Sequence, residues 1–414
     1  MKISLNAQIF TGAMMGIGSG IYLHTIGPDT QTAGTILYGC DIVGEIFIDL
    51  LKMILIPLVF TSIAVGIGNL KAHTEMQRIW KMTLIYFLAT PAIAALLGLI
   101  LVNAVRPGKG LEISMFQNAL SSFHSENMTL VQFTKSFFAN LFVDPIKAMA
   151  EGQVLPTVIF GIILGVALIV AGDRAKTIQK LLNEFFDIIM LIVSWVMRVA
   201  PFGIAALLAK LVATQNISLL SAMGKFIGVV IFGTLFHGII ILPLILYLFS
   251  GVGPIAYFKG MREALITALS TSSSSATLPV SLRCITQNFH VDRDIAGFIA
   301  PLGATVNMDG TALYEAVAAI FVANLVGVEL NLIQQIVVFL TAILASIGAP
   351  GIPSAGMVTM VMVLQSVGLP AQAIAILIPI DRPLDAIRTA VNVEGDAICS
   401  VIVQNSISKS NASS

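Results

Sequence analysis

Charge is what this 414-residue chain has least of. Only 11% of its residues are Asp, Glu, Lys or Arg, and 22 of each sign cancel to zero. A soluble domain averages about 25% charged residues, so the composition excludes that class. Zero net charge gives nucleic acid or an acidic partner nothing to hold. The three cysteines, Cys40, Cys284 and Cys399, are scattered without metal or redox spacing. The five histidines form no H-x-x-x-H pair, and no linker divides the chain. One Lys precedes the first apolar stretch, without a small-residue cleavage site, which reads as a spanning helix and not a signal peptide.

What the chain has in excess is apolar surface: 57% hydrophobic residues and a mean hydropathy of +0.94. This predicts an all-α polytopic protein embedded in a lipid bilayer. Residues 8–27 make a first span, with Gly12, Gly16, Gly18 and Gly20 permitting close helix approach. The second runs over 42–67 and the third over 82–105, followed by a polar loop at 106–130. The fourth region, 131–172, begins amphipathic (Lys135, Asp144, Lys147, Glu151) and is apolar from Leu155. The fifth span, 183–212, contains Arg198 and a break expected at Ala200–Gly203, A-P-F-G; the sixth covers 217–250. Lys and Arg follow spans two and four and recur at Lys259 and Arg262, while none follows spans one and five. The positive-inside rule then places both termini in the cytoplasm and the 106–130 loop outside.

From Pro254 the pattern changes. Residues 255–290 hold two apolar pieces, each short of the roughly 20 residues a crossing needs, around S-T-S-S-S-S-A-T-L-P. Basic residues flank both ends, which predicts a re-entrant hairpin entered from inside. An apolar run over 293–327 is interrupted by N-M-D-G-T at Asn307–Thr311. Residues 331–368 again form two pieces, broken at A-S-I-G-A-P-G-I-P-S-A-G, and no basic residue lies between 294 and 381, so this hairpin enters from outside. Hairpin, broken helix, hairpin, helix is an inverted repeat whose interrupted segments mark a site near the midplane.

The closing helix carries D-R-P-L-D-A-I-R-T-A-V-N-V-E-G-D. At about 100° per residue, Asp381, Asp385, Arg388, Thr389, Asn392 and Asp396 fall within an arc of about 100°. Ile387, Ala390 and Val391 lie opposite, with Glu394 as an exception. Ionisable groups at membrane depth mark function unless the segment ends in the interface.

Helix ends at the serine-rich tip, with the hydroxyls of Ser273, Ser274 and Ser275, suit a small carboxylate; a flexible linker is the plainer reading. The break at Asn307–Thr311 frees carbonyls beside Asp309, and oxygen-only ligands suit a hard cation such as Na⁺, with Asp396 as a second carboxylate. Gly348, Pro350, Gly351, Pro353 and Gly356 suit a carbonyl-rich mobile tip or an ordinary loop. Arg388 can grip a carboxylate bidentately and Asp385 can neutralise an amine, which together match an acidic amino acid. Glu315, one turn past Thr311 in apolar sequence, is a candidate proton carrier, or else a structural Glu, neutral or paired with Arg. No serine has a nearby His or Lys to activate it, and His237 shows no evident partner, so an intramembrane enzyme is not expected.

Four motifs in order, S-S-S-S-A-T-L-P, P-L-G-A-T-V-N-M-D-G-T-A-L-Y-E-A, A-S-I-G-A-P-G-I-P-S-A-G and D-A-I-R-T-A-V-N-V-E-G-D, resemble the glutamate transporter family, the dicarboxylate/amino acid:cation symporters. The resemblance covers nearly the whole chain. It implies eight transmembrane helices plus two re-entrant hairpins, in a homotrimer of elevator-type transporters. Residues 1–76 and 131–215 would form the scaffold. Residues 77–106 and 216–408 would form the transport domain, with hairpins at 255–290 and 331–368, a broken seventh span at 293–327 and an eighth at 370–404. Substrate, L-glutamate or L-aspartate, would contact Ser274, Ser275, Thr311, Gly351, Asp385, Arg388, Thr389 and Asn392. One Na⁺ would use Gly303, Asn307, Asn392 and Asp396. A second would use Thr305, Met308, Ser346, Ile347 and Ala349, and a third Thr90, Asn307 and Asp309. Phe87 and Pro91 stand where the family often supplies oxygen to the third. Ser272 and Ala386 stand where many members carry an arginine; Arg382 is the nearest other guanidinium. Animal members carry glutamate at the Glu315 position, where it is tied to proton co-transport. The long glycosylated insertion of those members is missing, which points to a bacterial inner membrane. The resulting expectation is a sodium-coupled symporter of acidic amino acids with H⁺ coupling through Glu315. A proton-driven dicarboxylate carrier, a neutral amino-acid carrier of the same fold, and a channel are the alternatives.

Overall fold

The structure is a computed structural model that describes residues 5–28, 30–68, 77–110, 142–214, 217–349, 351, 353–370 and 373–413. Most of the polar loop expected at 106–130 and the start of the fourth region lie outside these, as does Pro350. Among the described residues every regular element is helical, as lipid requires of a chain that must satisfy its own backbone.

One group of helices comprises α1 (Leu5–Ile26), α2 (Gln31–Gly68), a short α4 (Pro145–Ala150), α5 (Val154–Ala171) and α6 (Lys176–Thr214). α3 (Gln77–Val105) belongs with the later helices. Gly12 lets α1 lie directly on α6: a Cβ there would stand 2.4 Å from the Pro201 carbonyl oxygen. The break expected at Ala200–Gly203 does not occur, and α6 runs unbroken through Pro201. Pro201 deprives the carbonyl of residue 197, four residues back, of its N–H, and membrane helices tolerate such prolines where neighbouring helices pack close; α1 lies against α6 at this point through Gly12. α2 begins eleven residues before the expected 42, so Asp41 is helical and pairs with Lys210 of α6.

The second group starts with α7 (Ile217–Phe236), a π-turn (His237–Ile241) and α8 (Leu242–Ser250). Pro243 has no N–H for the carbonyl four residues back, which accounts for the widened turn before it. Then come α9 (Pro254–Thr271) and α10 (Ser274–Asn288), α11 (Arg293–Val306) and α12 (Asp309–Leu325), α13 (Leu332–Gly348) and α14 (Ala355–Ser366), and the long α15 (Ile374–Ser413). α9 packs on α10 and α13 on α14, with α11 and α12 between these pairs in the chain and α15 closing it. α12 is the buried axis, enclosed along nearly its whole length. Phe226 of α7 stacks on Phe321 at 4.5 Å and meets Tyr314 edge-on at 6.0 Å.

Among the described residues four stretches are long and apolar enough to cross a membrane: Ile79–Val105, Pro156–Val196, Ser221–Ser250 and Ile295–Leu325. The hairpin arms α13 and α14 are shorter apolar helices. The protein is therefore membrane-embedded.

Candidate functional site

The two hairpins approach from opposite ends of α15 and meet at their tips. The base of the first lies toward the C-terminal end of α15, where Tyr257 donates to the Glu394 carbonyl at 2.9 Å and the Asp292 N–H to Gln404 at 2.9 Å. The second reaches Asp385, whose Oδ2 accepts the Ser354 N–H at 2.8 Å. Each tip holds a serine in the left-handed region, Ser272 (φ 50°) and Ser354 (φ 61°). Left-handed non-glycine residues are strained, and such strain gathers at functional sites.

The tips latch through Gly351. Its carbonyl accepts the Ser273 hydroxyl at 2.7 Å and the Ser275 N–H at 3.0 Å. A Cβ on Gly351 would lie 2.3 Å from the Ala304 carbonyl oxygen, so only glycine fits. Ser273 also caps α10 by accepting the Ala276 N–H at 3.2 Å. Ser274 is buried in the first turn of α10 and the Ser275 side chain is exposed.

Beneath the latch the polar stripe of α15 is buried, and Arg388 is 0% exposed. Its Nη2 donates to Asp381 at 2.5 Å and to Asp385 at 3.0 Å, and the guanidinium carbon lies 3.8 Å from the Tyr314 ring centre. Two carboxylates and an aromatic face compensate the cost of burying this charge. Nε and Nη1 have no partner among the described residues, and Nη1 lies toward Gly356 and Thr311. A planar ligand with two acceptor oxygens is what such a half-satisfied guanidinium can bind. Asn392 ties the stripe to α12 by accepting the Gly310 N–H at 2.8 Å, and its amide lies 3.5 Å from the Thr311 hydroxyl. Thr389 is buried on the same stripe. Arg382, one turn before Ala386, has no partner for Nε and Nη1 among the described residues.

The interrupted helix brings a second set of oxygens together. Asp396 accepts the Asn307 amide at 3.1 Å, and its Oδ1 lies 2.2 Å from where a Cβ on Gly303 would be. Gly303, Asn307 and Asp396 thus lie together, while Asn392 is engaged with Gly310 and Thr311. Met308 packs against Ala349, and Ser346 is buried nearby with Ile347 partly buried. Thr305 points its hydroxyl toward Gly66 of α2 and donates to the Leu302 carbonyl. Thr90 of α3 lies 3.0 Å from Asp309 Oδ1 and 3.3 Å from Asn307 Oδ1. Among the described residues no three His, Cys, Asp or Glu side chains gather as a transition-metal site would.

Two contacts depart from the sequence reading. His237 has a partner: its Nε2 lies 2.9 Å from Asp309 Oδ2, with both side chains buried. Antiparallel packing of α7 on α12 carries residue 226 to 321 and so brings 237 to 309. Glu315 is buried and, among the described residues, makes no ion pair with Arg; its Oε1 accepts the Thr359 hydroxyl of α14 at 2.5 Å while Oε2 has no partner there. Asp381, which the sequence placed on the stripe without a role, is the closest partner of Arg388. Glu394, the exception on the other face, is buried against the π-turn, where a Cβ on Gly238 would stand 3.0 Å from its Oε2.

Residues 5–406 match the sodium:dicarboxylate symporter family. The chain is 33% identical to a putative sodium-dependent excitatory amino acid transporter of Caenorhabditis elegans, over 95% of this chain and 87% of that protein. It is 36% identical to human excitatory amino acid transporter 2, over 89% of this chain and 73% of that protein. A neutral amino acid transporter B(0) of Bos taurus is 36% identical over 87% of this chain and 72% of its own length. These relatives are transporters and not enzymes. With its length matched almost end to end, the chain belongs to the sodium:dicarboxylate symporter family.

Proposed function

We propose that this protein is a sodium-coupled symporter of acidic amino acids, L-glutamate or L-aspartate, working by an elevator mechanism. The observation that carries the reading is Arg388, buried between Asp381 and Asp385 beneath two latched hairpin tips, with two donor atoms unspent. A substrate side-chain carboxylate takes those donors and an α-amino group meets Asp385. Thr311, Thr389 and Asn392 supply neighbouring polar atoms, and Ser274, Ser275 and the Gly351 backbone close over the ligand. Because Gly351 already binds the first tip, ligand entry requires the latch to part.

Na⁺ enters as co-substrate. Asp396 with Gly303, Asn307 and Asn392 makes one site. Carbonyls near Thr305, Met308, Ser346, Ile347 and Ala349 make another, and Thr90, Asn307 and Asp309 a third. Glu315, hydrogen-bonded to the arm of the second hairpin, carries a proton. The group containing α1, α2, α5 and α6 is the scaffold and trimer contact; α3 and the helices from α7 onward move with the substrate. Eight crossings and two re-entrant hairpins, with both termini cytoplasmic, follow from the charge pattern of the connections. Placement in a bacterial inner membrane rests on the missing insertion, whereas the relatives compared are animal proteins.

A neutral amino-acid carrier is the second reading, favoured by the Bos taurus relative; Arg388 stands against it. Purified protein in proteoliposomes, given labelled glutamate, aspartate or alanine under imposed Na⁺, H⁺ and K⁺ gradients one at a time, separates the readings. Saturable acidic amino-acid uptake that needs external Na⁺ is expected. Uptake of alanine alone, or uptake driven by protons and indifferent to Na⁺, overturns the proposal.

A further inference from the structure

We propose that His237 is a positioning residue for sodium: it holds Asp309 so that one carboxylate oxygen faces an ion bound with Thr90 and Asn307. The inference rests on the sodium-coupled reading and adds to it a residue outside the oxygen ligand set.

The observation behind it is a surplus of acceptors. The Thr90 hydroxyl oxygen lies 3.0 Å from Asp309 Oδ1, 3.3 Å from Asn307 Oδ1 and 3.2 Å from the Tyr86 carbonyl oxygen. Its single hydrogen can serve only one of the three. Thr90, Asn307 and Asp309 are each no more than 1% exposed. Buried oxygens in excess of the protons between them are the surroundings a hard cation satisfies. Asn307 is already turned toward this point, because its amide nitrogen donates to Asp396 and leaves Oδ1 facing Thr90.

Asp309 is the only charged member, and its orientation is set from the other side. Oδ2 is taken by His237 Nε2 at 2.9 Å, which fixes the carboxylate plane and presents Oδ1 to Thr90. The other ring nitrogen, Nδ1, has no partner among the described residues, so Asp309 is the imidazole's only hydrogen-bond anchor. The π-turn beginning at His237 is the local irregularity that delivers the ring, and such turns recur at functional sites. Phe87 and Pro91, on the same helix as Thr90, offer no side-chain oxygen. Fewer ligands place more weight on the orientation of those that remain, and losing a hydrogen bond that orients a metal ligand typically lowers affinity by about 10–100-fold.

The test is sodium titration of His237→Leu and His237→Gln. Readouts are Na⁺-dependent thermal stabilisation without substrate, and glutamate binding at saturating Na⁺. Leu fills the space without a donor; Gln keeps an amide N–H. His237→Leu is expected to raise the half-saturating Na⁺ concentration about tenfold or more, with His237→Gln close to the parent and glutamate affinity at saturating Na⁺ unchanged in both. A folded His237→Leu protein with the parental Na⁺ curve overturns the proposal, as does an equal shift in Leu and Gln. If His237→Leu does not fold, His237→Asn, whose amide falls short of Asp309, replaces it with the same expected order; equal Asn and Gln curves overturn the proposal. A parent protein indifferent to Na⁺ overturns the sodium-coupled reading itself, a result distinct from failure of the variants alone.

Discussion

Replacing Arg388 by Met separates the two roles assigned to this side chain. Met keeps much of the apolar stem and removes the guanidinium. In the folded protein that leaves Asp381, 1% exposed, and Asp385, 6% exposed, facing each other without a counter-charge. Breaking a buried ion pair from one side costs about 3–5 kcal/mol, and the lost contact with Tyr314 adds about 1–2 kcal/mol. Unfolding in mixed micelles can be followed by tryptophan fluorescence, since Trp80 packs on Phe298 at 5.6 Å. Arg388→Met is expected to be less stable by about 4–7 kcal/mol. Arg388→Met/Asp381→Asn, which removes the closer of the two orphaned charges, should recover at least half of that loss. Binding calorimetry on the same proteins should show glutamate and aspartate lost, with neutral amino acids still able to bind. A single variant within about 1 kcal/mol of the parent refutes the stability argument. A double variant no more stable than the single shows that Asp381 is not held by this guanidinium. Unchanged glutamate affinity refutes the substrate assignment.

Three further substitutions test neighbouring parts of the site. Glu315→Gln keeps the contact with Thr359 but cannot release a proton; net uptake should lose its pH dependence while exchange continues, and a parental pH profile would reject Glu315 as the carrier. Gly303→Ala pushes a methyl group into Asp396, so the carboxylate must leave Asn307; the Na⁺ concentration for half-maximal uptake should rise about tenfold, as for a disturbed ion ligand, and a parental value argues against Asp396 as a ligand. Gly351→Ala meets the Ala304 backbone, an overlap of a kind that costs about 1–3 kcal/mol; the latched tips should open, seen as faster labelling of a cysteine placed at the buried Ser274, and unchanged labelling would show that the latch does not depend on this contact.

Much of this site was legible in the chain because membrane burial makes polarity informative. Six polar residues on one arc of α15, in a sequence with so little charge, point to a polar interior wherever the helix lies. The apolar pieces around the serine-rich and glycine-rich breaks are too short to cross alone, which predicts their hairpins. Pro201 misled: it reads as a break, yet α6 stays continuous, with α1 packed against it at that point through Gly12.

Partnership across the fold was not legible. His237 and Asp309 are 72 positions apart, and only the antiparallel packing of α7 on α12 joins them. Thr359 is 44 positions from Glu315 and meets it because the second hairpin folds back against α12. Asp381 sits seven residues before Arg388, a spacing that puts both on one face without saying whether the arginine turns toward it or outward. Which residues are polar, which helices are interrupted and which face of α15 carries the charge follow from composition and helical period alone. Tertiary structure decided which oxygens are already taken, since hydrogen-bond partners are chosen by packing between helices far apart in the chain.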